Sequence, residues 1–533
     1  MASHDAPSAR DVIALGRAVL GIELGSTRIK AVLIDPQGRQ LAAGNHTWEN
    51  RFVDRVWTYT VEDIWSGVQG SFESMCVDAV ERHGVRPTAL GALGVSAMMH
   101  GYLAIDASGE LLTPFRTWRN TTTDQSAAEL TELFGCTIPL RWSIAHLYQA
   151  ILDEESHVAQ VASLTTLAGY VHRRLTGLHV LGVGDASGMF PIDAETRNYD
   201  AQRLAQFDAL VANRHPDLSL ARLLPRVLTA GAEAGRLTDQ GAALLDASGE
   251  LLPGAPLCPP EGDAGTGMVA TNAVAPRTGN VSVGTSIFAM AVLEGPLSQI
   301  HPEVDMVTTP AGDPVAMVHC NNGASELNAW ASVFQEFSTA VGHQVHADEA
   351  FRALLNEALT ADPDAGGLLA FNNLAGEPVT QLSEGRPLVL RTPESRLTLG
   401  NFMRAQVFGA FAALSLGMRV LADEGVHLDV MVAHGGLFRT EGVAQRLLAA
   451  ALRTPVAVGQ DAGEGGAWGI AVLASYLAHA DESDLAEFLQ ARFSAGAPAS
   501  IFDPDPVDVE GFSAFMEHYV AALPVQRAAL SAT

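Results

Sequence analysis

The chain has 533 residues and a formal net charge of −28, a balance that repels extended polyphosphates and argues against a nucleic-acid or anionic-membrane surface. Apolar residues make up 48%, enough for a large core, which excludes wholesale disorder and leaves room for several domains or fewer, larger α/β units. Lys30 is the only lysine; every other basic side chain that is not histidine is arginine.

Residues 1–17 read as a loose leader without the basic start and continuous apolar run of a secretory signal. From Ala18 a strand-like run ends in Gly25-Ser26-Thr27. Ile29 to Ile34 is a second strand, and the turn signal Asp35-Pro36-Gln37-Gly38 leads to a third. Helical spacing of apolar residues follows over 61–80, giving a βββα opening. Further on, GNVSVGTSIFAMAVL (279–293) repeats the pattern of LGIELGSTRIKAVLI (20–34): strand, glycine with small hydroxyl residues, strand. Gly25 and Gly284 lie about half the chain apart, which suggests two similar halves divided near residue 275. The longest apolar run, 407–418, is too short for a membrane span and reads as a buried helix. A strand over 429–436 ends in Gly435-Gly436, and a helix is expected from about 440 to 452. The helical stretch 465–477 is rich in Gly and Ala, which lets another backbone or a flat ligand come close.

The four cysteines are scattered and form no CxxC pair, so structural zinc and a disulfide framework are not expected and a reducing, cytoplasmic location fits. The one lysine follows Ile29 rather than a glycine, which excludes a P-loop. GTGMVA (265–270) matches a dinucleotide fingerprint in letters only, because it follows Glu-Gly-Asp-Ala rather than an expected strand. Two turns stand out instead, Gly25-Ser26-Thr27 and Gly284-Thr285-Ser286. Each by itself is an ordinary hairpin. Together, one per half, their backbone N–H and hydroxyl groups suit the oxygens of a polyphosphate.

The ordered set of motifs resembles the FGGY carbohydrate kinases, of the actin-like and hexokinase-like superfamily. GIELGSTRIKAVLID is similar to the family's first phosphate motif, PEGDAGTGMVATNAV to its segment with the catalytic aspartate, and GNVSVGTSIFAM to its second phosphate motif. FNNLAGEP (371–378) resembles its Leu-x-Gly-Glu-x-x-Pro segment with an early proline. AHGGLFRTEGVAQRLLAAAL and AGEGGAWGIAVLA look like its nucleotide loop and closing helix. The resemblance runs from about 18 to 480. It implies an α/β fold of two RNase H-like (actin/hexokinase-like) domains with an interdomain cleft: an N-terminal domain over 18–275 on the sugar and phosphate side, a C-terminal domain over 276–500 on the nucleotide side, and a tail over 501–533.

By this resemblance Asp263 is the general base that takes the proton of a sugar hydroxyl, and Glu23, where the family has aspartate, holds Mg²⁺ together with Asp263. Gly25, Ser26, Thr27 and Lys30 would contact phosphate from one side, and Gly284, Thr285 and Ser286 from the other. Gly435 and Gly436 would let adenosine approach the backbone, with Gln445 and Glu464 nearby. Met99 and His100 match a Met-His-Gly segment of xylulokinases, and Trp118 and Asn120 align with a Trp-x-Asp segment at the sugar, Asn replacing Asp. The implied activity is ATP-dependent phosphorylation of the terminal hydroxyl of a ketopentose, D-xylulose or L-ribulose. The alternatives are a kinase of another polyol or sugar acid, or a catalytically weak sugar- or nucleotide-binding regulator. The implied partners are a small sugar and MgATP, with no nucleic acid and no membrane; a homodimer is compatible with this reading.

Overall fold

The structure, a computed structural model, describes residues 7–458, 465–493 and 500–531. The chain divides into two compact units: unit 1 comprises Met1–Val274, Met306–Val315 and Gly463–Gly496, and unit 2 comprises Ala275–Asp305, Ala316–Ala462 and Ala497–Thr533.

Unit 1 begins with a short helix, α1 (Ala9–Ala14), capped by the Ser8 side chain accepting the Asp11 N–H. Its Val12 and Ile13 are buried in the unit's core, so the expected loose leader is in part a packed helix. A five-stranded sheet follows, from β1 (Val19–Leu24), β2 (Arg28–Ile34), β3 (Gln40–Thr47), β4 (Ala92–Ala97) and β5 (Glu261–Gly262), in the order β5-β4-β1-β2-β3. β1 is antiparallel to β2 and parallel to β4, which is parallel to β5. Every residue of β4 is buried, as expected of an inner parallel strand covered on both faces. Between β3 and β4 lies α2 (Val61–His83), started by a capping box between Thr60 and Asp63 and stopped by Gly84 in the left-handed region. Its inward face, Ile64, Val68, Phe72, Met75, Cys76 and Ala79, has the 3.6-residue spacing that the sequence announces.

After β5 comes α3 (Asp263–Ala270). GTGMVA therefore does follow a strand, but one of two residues, too short for local periodicity to reveal.

The second sheet repeats the first. It contains β6 (Thr278–Val283), β7 (Ile287–Val292), β8 (Asp305–Thr308), β9 (Pro314–Cys320), β10 (Val430–His434), β11 (Val456–Val458) and β12 (Ser500–Phe502), in the order β8-β9-β7-β6-β10-β11-β12. As in unit 1, the first strand is antiparallel to the second and parallel to a later one, here β6 to β7 and to β10, with β11 parallel beyond. Unit 2 adds α4 (Ser325–Ala340), α5 (Ala347–Glu357), α6 (Leu399–Asp423), α7 (Ala444–Leu452) and α8 (Pro506–Ser531).

Among the described residues one helix, α6, is long and apolar enough to cross a membrane, and 78% of its most apolar window is buried inside the protein. It carries a buried arginine, Arg404, that bonds the Ala358 carbonyl at 2.9 Å and Asp508 of α8 at 3.2 Å. The phenyl ring of Phe408 packs on Phe512 and Phe515 of α8 with centroids 4.9 and 5.3 Å apart. The expected tail over 501–533 is thus core: its apolar residues 512, 515, 516 and 519 form a helical stripe, all buried. The expected boundary near 275 coincides with the first division, between Val274 and Ala275, but Met306–Val315 and Gly463–Gly496 return to unit 1, because a segment joins whichever sheet its apolar face covers, whatever its place in the chain.

Candidate active site

In unit 1 the hairpin register places Glu23 directly opposite Lys30 on β2 and beside Ser96 on β4, and Ser96 beside Glu261 on β5. Directly opposed residues of an antiparallel pair share a face, so the only lysine and Glu23 project together. The turn itself closes by the Gly25 N–H donating to the Arg28 carbonyl at 3.0 Å. Three aromatic side chains clasp it: the Trp48 indole N–H donates to Gly25 O at 2.7 Å, the Tyr59 hydroxyl to Ser26 O at 2.6 Å, and the Trp118 indole N–H to Ser26 Oγ at 3.3 Å. Thr27 is exposed at the tip.

Asp263 is the first residue of α3, immediately beyond β5, and half-buried. Its Oδ1 accepts the Met99 backbone N–H at 3.1 Å. Burial raises its carboxyl above the ordinary aspartate range, against the N–H groups of Met99 and Ala264 that pull it down. The neighbouring helix Gly465–Tyr476 comes onto the strand ends through glycine: a Cβ at Gly466 would stand 2.4 Å from Glu23 Oε1 and 2.9 Å from Thr266 Oγ1. The same Thr266 hydroxyl is 3.0 Å from Ser96 Oγ. Glu23, Ser96, Thr266 and Asp263 therefore gather at one end of the sheet, where β1, β4 and β5 terminate.

Met99 and His100 adjoin this cluster. Both are buried, and His100 and Gly101 take φ of +73° and +96°. A left-handed histidine is uncommon; here the kink turns the chain just past the Met99 N–H that Asp263 accepts. His100 Nδ1 lies 3.3 Å from Gly188 O. Asn120, expected at the sugar, is committed elsewhere. Its Oδ1 accepts the Trp57 N–H at 2.9 Å, and its Nδ2 donates to Trp57 O and Thr117 O at 2.8 and 2.9 Å. It braces a loop and has no donor left for a ligand. Asp185 is a buried carboxyl that receives the Thr166 hydroxyl at 2.5 Å. Beside it Glu261 Oε2 accepts the Asp185 N–H at 2.8 Å. Burial pushes Asp185 up to about 7, helped by the charge of Asp263, and holds Glu261 well above the carboxylate range.

In unit 2 the corresponding turn closes by the Gly284 N–H donating to Ser286 O at 2.9 Å, leaving Gly284 and Thr285 exposed. It borders a cavity of about 610 Å³. Its lining includes Gly284, Thr285 and Gly436, Ala324 just before α4, Asn328, Ser332 and Gln335 of α4, and Phe351 and Arg352 of α5. Gly435 has φ of +118°, and a Cβ there would stand 2.2 Å from Val283 O, so no other residue lets β10 turn so close to β6. Gln445, expected near the nucleotide, is buried in α7, with its amide donating to Phe438 O at 3.0 Å. It is absent from the cavity wall and supports the 436–439 turn from behind. Glu464 lies outside the described residues.

Residues 18–249 match the model of the FGGY family of carbohydrate kinases, N-terminal domain, and residues 279–478 match the C-terminal domain of the same family. The chain belongs to the FGGY family of carbohydrate kinases. It is 24% identical over 440 residues to a xylulose kinase of Klebsiella pneumoniae, covering 78% of this chain and 81% of that protein. Solved structures of a xylulose kinase from Rhodospirillum rubrum and a gluconate kinase from Lactobacillus acidophilus share its fold with TM-scores of 0.77. They are 19% and 18% identical, and the alignments cover 96% and 95% of this chain and 100% and 98% of theirs. The FGGY chain accordingly has the two-domain α/β kinase fold and is an ATP-dependent phosphotransferase acting on a carbohydrate.

Asp185, the aromatic clasp of Trp48 and Tyr59, and the cavity wall of Asn328, Ser332 and Gln335 escape the sequence reading. The last had a visible signal, polar residues at i, i+4 and i+7 of one helix face. The clasp had none, since its hydrogen bonds go to backbone far away in the chain.

Proposed function

We propose that this FGGY kinase transfers the γ-phosphoryl group of ATP to the terminal hydroxyl of a ketopentose, D-xylulose or L-ribulose, in the cytoplasm. The observation that carries the reading is Asp263, held at the strand end by the Met99 N–H beside the buried Met99-His100-Gly101 kink. Burial raises its carboxyl above the ordinary aspartate range, which strengthens it as a proton acceptor. Asp263 takes the hydroxyl proton as the sugar oxygen forms its bond to phosphorus. The bond from phosphorus to the β–γ bridging oxygen breaks, and ADP leaves with that electron pair. Met99 and His100 orient the sugar, with Trp118 fixing the turn that faces it.

On the nucleotide side, Gly284, Thr285 and Ser286 receive the phosphates, and Gly435 and Gly436 admit the nucleoside to the unit 2 cavity. Gly25, Ser26, Thr27 and Lys30 steady the transferred group, since phosphoryl transfer is chiefly positioning and charge stabilisation. Glu23 and Asp263 would hold Mg²⁺. Two carboxylates at one sheet end fit an ion that keeps most of its waters and binds phosphate oxygens. Bound there, the ion would neutralise phosphate charge.

The test is sugar-dependent ADP release across D-xylulose, L-ribulose, glycerol and gluconate, with D263N as control. A ketopentose is expected to give the highest kcat/KM, and D263N a loss of roughly 10²–10⁴-fold. Gluconate or glycerol as the preferred substrate would overturn the ketopentose assignment. A D263N enzyme of wild-type rate would remove Asp263 from the chemistry.

A further inference from the structure

The segment 371–378 has no part in the chemistry above, yet it is tied to the Gly284–Ser286 turn by hydrogen bonds that run unbroken through unit 2. Glu377 has 0% exposure. Its backbone is pinned by a reciprocal pair with Leu382, N–H to O at 2.8 Å and O to N–H at 3.0 Å. Its Oε2 accepts two bonds from one residue, the Asn322 backbone N–H at 3.3 Å and Nδ2 at 3.0 Å. Asn322 returns the connection: its Oδ1 accepts the Leu374 and Ala375 N–H groups, each at 2.9 Å, and its Nδ2 also reaches Ala375 O at 3.1 Å. The two residues after Asn322 then seat the turn. The Gly323 N–H donates to Thr285 O and the Ala324 N–H to Gly284 O, both at 2.8 Å. A Cβ at Gly323 would stand 2.4 Å from Gly284 O, so only glycine fits where the strap meets the turn.

Enclosing a carboxyl this fully costs free energy that its hydrogen bonds must offset. Burial accordingly raises Glu377 above its ordinary range, with the Asn322 groups opposing it, and the buried Cys320 thiol and Tyr519 hydroxyl stand close enough to feel its charge. Glu377 does not line the cavity. The hydrogen bonds that lead from its carboxyl to the turn pass through Asn322.

We propose that Glu377 is a positioning residue for the nucleotide phosphates: by fixing Asn322 it sets Gly323 and Ala324, and through them the backbone of Gly284 and Thr285. This rests on the reading of that turn as phosphate-binding.

The test compares E377A, E377Q, E377M and N322S with the wild-type chain, by amide hydrogen exchange without nucleotide and by calorimetric MgADP binding. E377A is expected to speed exchange over 282–287 and 322–325 and to weaken MgADP about tenfold, because only part of the loss of its two buried hydrogen bonds is felt at the turn, with the sugar KM within about twofold of wild type. E377Q keeps both the volume and an acceptor for Asn322 and is expected to retain MgADP affinity within about twofold, whereas E377M keeps the volume alone and is expected to weaken it as E377A does, which separates the hydrogen bonds from packing. If E377A does not fold, N322S cuts the same strap from its other end and is expected to show the same pattern. Unchanged exchange over 282–287 overturns the coupling itself. Faster exchange with unchanged MgADP affinity overturns the proposal through the phosphate reading instead. E377Q as impaired as E377A, or equal weakening of sugar and nucleotide, also overturns it.

Discussion

Asp185 shows how a single buried group writes itself into the pH dependence of the whole unit. Its carboxyl titrates near 7 in the folded chain and near 4 when unfolded. Between those values the native state binds more protons than the unfolded one, so stability falls as pH rises from about 4 to 7 and levels off above. Each tenfold difference in proton affinity between the two states is worth about 1.4 kcal/mol, so the loss approaches about 4 kcal/mol. D185N removes that titration, so its advantage over wild type in denaturant unfolding is expected to grow from pH 5 to pH 8; a difference independent of pH would contradict this. Asn120 makes the opposite point. Its amide is spent on three backbone groups, so N120A is expected to cost about 1–3 kcal/mol of stability while leaving the sugar KM essentially unchanged. A large rise in KM without loss of stability would return Asn120 to the sugar.

At the scale of elements, the C-terminal helix is as much a part of unit 2 as the strands are. Phe515 is 1% exposed and packs against Phe408 of α6, Phe512 and Tyr519. F515A is expected to destabilise unit 2 by roughly 3–5 kcal/mol, measured as a lowered denaturant midpoint at unchanged slope. A shift below about 1 kcal/mol would mean that the helix is peripheral. The helix was legible as a helix from its apolar stripe at 512, 515, 516 and 519. Its partner was not, because α6 lies more than eighty residues earlier. The two glycine–hydroxyl hairpins were legible for the converse reason: both strands and the turn lie within sixteen consecutive residues. The five-residue step from Leu24 to Ile29 and the four-residue step from Val283 to Ile287 show the repeat kept in topology though not in loop length.

For the whole molecule, a net charge of −28 is compatible with a nucleotide substrate. A small phosphate ligand can be met by backbone N–H groups at tight turns, without a basic surface. The sequence by itself determined the fold class, the two halves and the repeated glycine–hydroxyl hairpins. Those follow from strand periodicity, turn chemistry and the order of motifs, which neighbouring residues set. Only the tertiary structure decided which segments make up each unit, that Asn120 and Gln445 are braces, and that Glu377 is strapped to a turn some ninety residues away in the chain. A hydrogen-bonding side chain is polar in the sequence whatever it binds. Whether it meets a ligand or a buried backbone carbonyl depends on groups that folding brings to it from a distance.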